Sequence, residues 1–233
     1  MGRVVYQGDC LKVLQEHPDI KVDAIITDPP YNISRETNFH RTREYLGPAM
    51  DFGDWDKDFD ITAFIPEFSR HLKENANVVI FNSWQNLRLI SDCCAENHIQ
   101  VKRCLILSKT NPVPFNRDRT FVNDVEFAVW GVYNSKDKPK GWTFNRENLF
   151  EKCVINCVLQ HRKLHPTMKD ITVINKLIRV LTNEGDVVLD PFMGSGTTGV
   201  ACRKLNRDFI GIEINSSYYN IAKRRIDEQE ALL

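Results

Sequence analysis

Four consecutive residues near the start of the chain bring together an acid, two prolines and an aromatic ring: Asp28-Pro29-Pro30-Tyr31. They follow Asp23-Ala24-Ile25-Ile26-Thr27, a short apolar run that reads as a buried strand. Consecutive prolines cannot continue a central strand, so the chain must leave the sheet there. They also lack N–H groups, so the carbonyls around them need not pair in a ladder and can face a ligand. The expected result is a rigid corner at a strand end, with a carboxylate before it and a ring after it. Taken alone, the tetrapeptide also fits a plain strand-to-loop turn.

A second stretch argues against the plain turn. Gly185-Asp186-Val187-Val188-Leu189-Asp190-Pro191-Phe192-Met193-Gly194-Ser195-Gly196-Thr197-Thr198-Gly199 reads as strand, glycine loop and helix start. Phe209-Ile210-Gly211-Ile212-Glu213 is another strand ending in an acid. Together the two stretches resemble the amino-group DNA methyltransferases that use S-adenosylmethionine. The acid-Pro-Pro-aromatic corner matches their catalytic motif and Asp-Pro-Phe-x-Gly-Ser-Gly-Thr their cofactor motif. The order, catalytic motif first, resembles the beta class.

The glycine loop also fits a dinucleotide fingerprint, with Glu213 near the distance expected of a ribose acid. A pyrophosphate wants backbone N–H groups and no carboxylate. Asp190, directly before the loop, would repel phosphate and favour the ammonium and sulfonium of S-adenosylmethionine.

The resemblance implies roles for single residues. An exocyclic base amine is a poor nucleophile because its lone pair is delocalised into the ring. Asp28 and a carbonyl of the proline segment, that of Pro29, would accept its two N–H bonds, with Pro30 completing the corner and Tyr31 stacking on the base. Asp9 and Cys10 would lie beside the cofactor's adenine, and His165, Thr167 and Lys169 beside its methionine end. Asp190, Phe192, Gly194, Ser195, Gly196 and Thr197 would form the cofactor loop, and Glu213 would hold the ribose. Where the family often has proline after the lysine, this chain has Asp170. The implied activity is site-specific methylation of adenine N6 in a flipped base, as in restriction-modification systems. Cytosine N4 is the alternative target, and Asp rather than Ser at position 28 resembles the adenine side. A non-catalytic DNA-binding module on the same fold is the alternative outside enzymes.

Other elements must position these residues. Val4-Val5-Tyr6 reads as a strand, and Asp9 as the N-cap of a helix beginning with Leu11, Val13 and Leu14. Residues 61–74 have helical spacing in Phe64, Ile65, Phe68 and Leu72, and residues 84–97 in Leu87, Ile90 and Cys94. Asn77 to Phe81, Val101 to Leu107 and Val125 to Val132 read as strands, and Ile171 to Leu181 as a helix. This alternation predicts an α/β, Rossmann-like methyltransferase fold: a mostly parallel twisted sheet, helices on both faces, and an antiparallel edge. Residues 1–233 are expected to form one catalytic domain, with a small target-recognition insert around 134–163. The loop from Lys109 to Thr120 mixes Pro, Asn, Phe, Arg117 and Arg119, which suits phosphate and base contacts. Residues 32–60 carry a basic segment and then an acidic run, in a stretch long enough to be functional or mobile.

Hydrophobic residues make up 42% of the 233 and charged ones 27%, enough for a sizeable core and too apolar for disorder. Net charge is zero, so any nucleic-acid contact must come from local basic patches. No apolar run approaches the roughly 20 residues of a membrane span, and the N-terminus lacks a signal-peptide core. The seven cysteines have irregular spacing, which fits reduced thiols and a cytoplasmic location. Cys153, Cys157, His161 and His165 fall at spacings of four, but on a helix they would run along one stripe, so no metal is expected. DNA is the expected partner. A homodimer is expected because the insert is too small to embrace a duplex alone.

Overall fold

The chain leaves the sheet at Asp28 because β2 (Val22–Thr27) is a central strand that the prolines end. The computed structural model describes residues 2–31, 60, 62–112, 119–158 and 169–227. Residues 32–59, with the basic segment and all of the acidic run but Asp60, lie outside the described residues, as do Arg117, His161, His165 and Thr167.

Among the described residues, eight strands form one sheet. They are β1 (Arg3–Gln7), β2, β3 (Leu72–Asn82), β4 (Ile99–Lys109), β5 (Val125–Tyr133), β6 (Val154–Cys157), β7 (Val187–Asp190) and β8 (Asp208–Glu213). Their spatial order is β1-β8-β7-β2-β3-β5-β4-β6. Every neighbouring pair is parallel except the two made by β5, which runs against β3 and β4. The expected antiparallel pairs therefore exist, and β6 then restores the parallel direction at the edge.

The central strands are buried on both faces, so their apolar runs are continuous rather than alternating. Ile25, Val78 and Ile80 face one core with α1 (Cys10–Glu16), α2 (Phe64–Ser69) and α3 (Leu87–Glu96). Ala24, Ile26, Val79 and Phe81 face the other with α4 (Ile171–Leu181), α5 (Thr197–Lys204) and α6 (Ser216–Asp227). Asp9 caps α1 by accepting the Lys12 N–H at 3.1 Å, as its position before the apolar spacing predicts.

One expectation needs correction. The helical spacing of residues 61–74 holds only over α2; Leu72 already pairs with Val22 in β3, and the spacing misleads because both elements bury the same side of the sheet. Residues 134–145, the first part of the expected recognition insert, are tied to the sheet. Asn134 N–H donates to the His98 carbonyl, Asn145 N–H to Val180, and the Asn77 amide to Thr143. The Phe144 ring stacks on Trp130 at 5.4 Å. Val180 closes α4, which leads into the start of β7, so these contacts hold residues 134–145 at the amino ends of the parallel strands. The chain then returns through β6 to the carboxyl ends.

Candidate active site

From β2 the chain proceeds to β3 on one side, and from β7 to β8 on the other. Strand order reverses between them, and crevices at such a switch point, beyond the carboxyl ends, are where open α/β sheets bind ligands. The strands β2 and β7 are direct neighbours, pairing Ala24 with Val188 and Ile25 with Leu189. The two motifs, far apart in sequence, therefore end side by side. Thr27 Oγ1 donates to Asp190 Oδ1 at 2.9 Å and joins them.

Asp190 is buried at 4% exposure, among neutral donors. Besides Thr27, the Thr198 hydroxyl donates to Oδ2 at 2.8 Å and the Phe192 N–H to Oδ1 at 3.2 Å. Burial pushes its carboxyl up to about 7 against these bonds, and the Asp28 charge adds to the rise.

Asp28 has charged company. Its Oδ2 lies 2.7 Å from Lys169 Nζ, and its Oδ1 accepts the Tyr31 hydroxyl at 2.7 Å. Lys169 also donates to the Tyr31 oxygen at 3.0 Å and lies 3.3 Å from Glu126 Oε2, while Lys109 Nζ holds Glu126 Oε1 at 3.0 Å. Burial raises the Asp28 carboxyl, with Lys169 opposing. Burial alone would lower the Lys169 ammonium, but Asp28, Tyr31 and Glu126 hold it well above the ordinary lysine value. Burial would likewise raise Glu126, yet Lys169 and Lys109 hold it down to about 2. The cluster is thus a chain of alternating charges, Lys109–Glu126–Lys169–Asp28. The Asn86 amide donates to the Tyr31 carbonyl at 2.8 Å and fixes the far side of the corner.

Lys169 is placed by its neighbour. Asp170 is the N-cap of α4, accepting the Thr172 N–H at 2.9 Å, and its other oxygen accepts Val158 N–H at 2.8 Å. The departure from proline at this position therefore supplies a helix cap and a tie to the end of β6.

Glu213 ends β8. It accepts the Gly194 N–H at 2.9 Å and the Asn215 N–H at 2.8 Å, lashing the glycine loop to its strand. Burial raises its carboxyl while these N–H groups oppose. Gly196 has φ of 81°, and a Cβ there would lie 2.9 Å from that of Ala222, so α6 can pack only on a glycine. Ser195 turns toward α6, where Arg225 donates to its hydroxyl at 3.0 Å. Phe192 meets Phe64 edge-on at 5.2 Å. Thr197, buried, opens α5. Cys10 is a neutral thiol in α1, pushed up to about 12 by burial and by Asp9.

These groups surround a cleft of about 540 Å³ lined by Asp9, Asp28, Asp190, Phe192, Lys169 and Glu213, among others. Its described lining holds five carboxyl groups, counting Asp60, and one ammonium. That donor set suits a cationic ligand with hydroxyl groups and opposes a pyrophosphate.

Arg119 is exposed in the β4–β5 connection, at the same end of the sheet. Lys109, read in sequence as part of that contact loop, turns inward; its side chain is 9% exposed and serves Glu126. Cys153 and Cys157 flank a strand rather than a helical stripe, and no cluster of three metal-ligating side chains occurs among the described residues. No described helix is long and apolar enough to cross a membrane. Sequence reasoning passed over Glu126, Lys109, Thr27 and Thr198. For Glu126 a signal existed: it is the one charged residue in the apolar run Val125 to Val132.

Several known proteins are similar to this chain. The Type II methyltransferase M.HinfI of Haemophilus influenzae is 30% identical, covering 96% of this chain and 68% of that protein. The Type II methyltransferase M2.MboI of Moraxella bovis is 27% identical, covering 96% and 87%. The crystal structure of the M1.HpyAVI–SAM complex superposes with a TM-score of 0.79 at 34% identity, over 98% of this chain and 100% of that one. The cytosine-N4-specific PvuII DNA methyltransferase shares the fold, with a TM-score of 0.74 at 17% identity over 99% and 88%. Residues 22–224 match the family described as DNA methylase, the N6/N4 methyltransferases, and with the corner and the glycine loop in that span the chain belongs to this family.

Proposed function

We propose that this DNA methylase transfers a methyl group from S-adenosylmethionine to N6 of an adenine flipped out of duplex DNA. One observation carries the reading: the Thr27–Asp190 bond at 2.9 Å, which brings the Asp28 corner to the edge of the acidic cleft. The solved complex of M1.HpyAVI contains SAM, and the cleft's excess of carboxyl groups supports the same ligand here. When bound, S-adenosylmethionine supplies an electrophilic methyl group on a cationic sulfur.

The residues of the chain do the rest. Glu213 accepts from the ribose hydroxyls with the lone pairs that Gly194 and Asn215 leave free. Asp190 faces the cationic end, Asp9 and Cys10 flank the adenine, and Phe192, Gly194, Ser195, Gly196 and Thr197 form the wall between them. Asp28 and the Pro29 carbonyl accept from the two amine N–H bonds and push electron density onto N6. Pro30 keeps that carbonyl out of any ladder. Tyr31 offers its ring to the base. With the methyl group transferred, N6 would have a proton to lose, and Asp28, whose carboxyl burial already favours protonation, is placed to take it. Positioning and fixed dipoles supply most of the acceleration. The Asp at position 28 supports adenine over cytosine. Arg119, with Arg117, His165 and Thr167 from outside the described residues, completes the proposed DNA and cofactor contacts.

Incubation with labelled cofactor and mixed-sequence duplex, followed by nucleoside analysis, tests the reading. N6-methyladenine is expected; N4-methylcytosine would move the target to the other base, and no product would leave a binding module. We also propose that the enzyme works as a homodimer, since residues 134–145 are held at the far end of the sheet and leave only part of the expected insert to reach a duplex. Light scattering that gives a 27.0 kDa species with and without DNA would exclude this.

A further inference from the structure

We infer that Glu126 is a positioning residue for methyl transfer: it receives Lys169 from Asp28 when the target amine arrives, with Lys109 as its fixed counter-ion. The inference rests on the proposed role of Asp28 as amine acceptor.

The need for such a residue follows from the distances. Asp28 has two oxygens, and both are engaged at 2.7 Å, one by Tyr31 and one by Lys169. An amine that is to donate to Asp28 meets a carboxylate with one strong donor on each oxygen, one of them a full positive charge that competes for the same acceptor. Lys169 is the donor with somewhere else to go, because Glu126 Oε2 stands 3.3 Å from its ammonium. The transfer is a small swing of one side chain between two carboxylates. Lys169 is 11% exposed, and both carboxylates lie within reach of its ammonium without a change of surroundings.

Charge supplies a second reason. As N6 takes the methyl group it becomes cationic until it sheds its proton. An ammonium held on the same carboxylate repels that developing charge, and burial strengthens the repulsion. Displacing Lys169 toward Glu126 leaves Asp28 facing the amine with its full charge. Lys109 keeps Glu126 in place, occupying Oε1 at 3.0 Å and leaving Oε2 for Lys169. The strong depression of the Glu126 carboxyl, to about 2, agrees with a residue that stays ionised whenever the enzyme works.

The test is a double-mutant cycle on single-turnover methyl transfer with E126Q, K169Q and the pair. E126Q strands Lys169 on Asp28 and should lower the rate by up to about 100-fold, the cost of a small misplacement at a reacting centre. Affinities for cofactor and duplex should not change, which a merely structural loss would not spare. In the K169Q background the same substitution should cost nothing further, because the cation it strands is gone. E126D keeps the charge but withdraws it by one methylene. It should lose less than E126Q, its loss should also vanish with K169Q, and it carries the test if E126Q does not fold. Equal losses with and without Lys169, or wild-type rates in E126Q, overturn the inference. D28N run alongside separates the two readings. If D28N turns over normally, the role of Asp28 itself fails; if D28N is dead and E126Q normal, only the role of Glu126 fails.

Discussion

Asp28 and Asp190 stand at the ends of neighbouring parallel strands, each before a proline, Asp190 buried and Asp28 partly buried. Their surroundings differ in kind. Asp190 is held by two hydroxyls and a backbone N–H, with no cation among the described residues in contact, and its carboxyl rises to about 7. Asp28 sits on an ammonium that is itself shared with Glu126. A carboxylate caged by neutral dipoles still lacks a positive charge and is prepared to receive a cation. One already paired with a cation must exchange its partner before it can serve another donor. The same residue type at equivalent places in one sheet is thereby prepared for two tasks, set by the helices and strands that cover each end.

The largest test of that contrast is Asp28→Ala. It should abolish methyl transfer while weakening cofactor binding far less, since Asp190, Glu213 and the glycine loop remain. Turnover near wild type would remove Asp28 from the chemistry. Asp190→Asn should do the reverse, with cofactor affinity falling first.

The pH dependence of Asp190 sharpens the comparison. Its folded-state value lies above the ordinary aspartate value of 3.8, so the stability contributed by the protonated form is present at low pH and is lost as pH rises through about 7. A cationic ligand prefers the ionised form, so cofactor affinity should rise with pH up to and through about 7, with proton release on binding. Calorimetric titrations in buffers of different ionisation enthalpy would show this, and Asp190→Asn should flatten the profile. An unchanged profile in that variant would assign the titration to another group.

A smaller effect is expected at Glu213. Glu213→Ala should weaken the cofactor by about 1.5–3 kcal/mol, the range for hydrogen bonds to a charged group. Unaltered affinity by calorimetry would mean that the ribose acid lies elsewhere. The smallest effect is expected at Arg119, outside both cages. If it contacts a phosphate, Arg119→Ala should weaken binding on all duplexes and lower the salt slope by about one unit. Binding isotherms at several salt concentrations that match wild type would take it out of the interface.

Much of the molecule could be read from the chain alone. The continuous apolar runs at Ala24–Ile26 and Val187–Leu189 mark strands buried on both faces, and Pro after each aspartate marks where they stop. These are local signals, because a strand's burial and its termination are written in adjacent residues. The glycine at position 196 is similarly legible, as only glycine takes its left-handed backbone so close to Ala222. What the residues in order did not disclose is how distant segments pair. The stretch from Asn134 reads as a polar insert, but its hydrogen bonds to α4 and β3 hold its first part at the amino ends of the parallel strands. Lys109 reads as a loop cation, yet the antiparallel pairing of β4 with β5 turns it onto Glu126. The alternating row of charges through Lys169 to Asp28 joins residues from four segments, and no spacing along one of them encodes it. Side chains meet there because parallel strands end together at the switch point, and that is a property of the sheet rather than of any stretch of sequence.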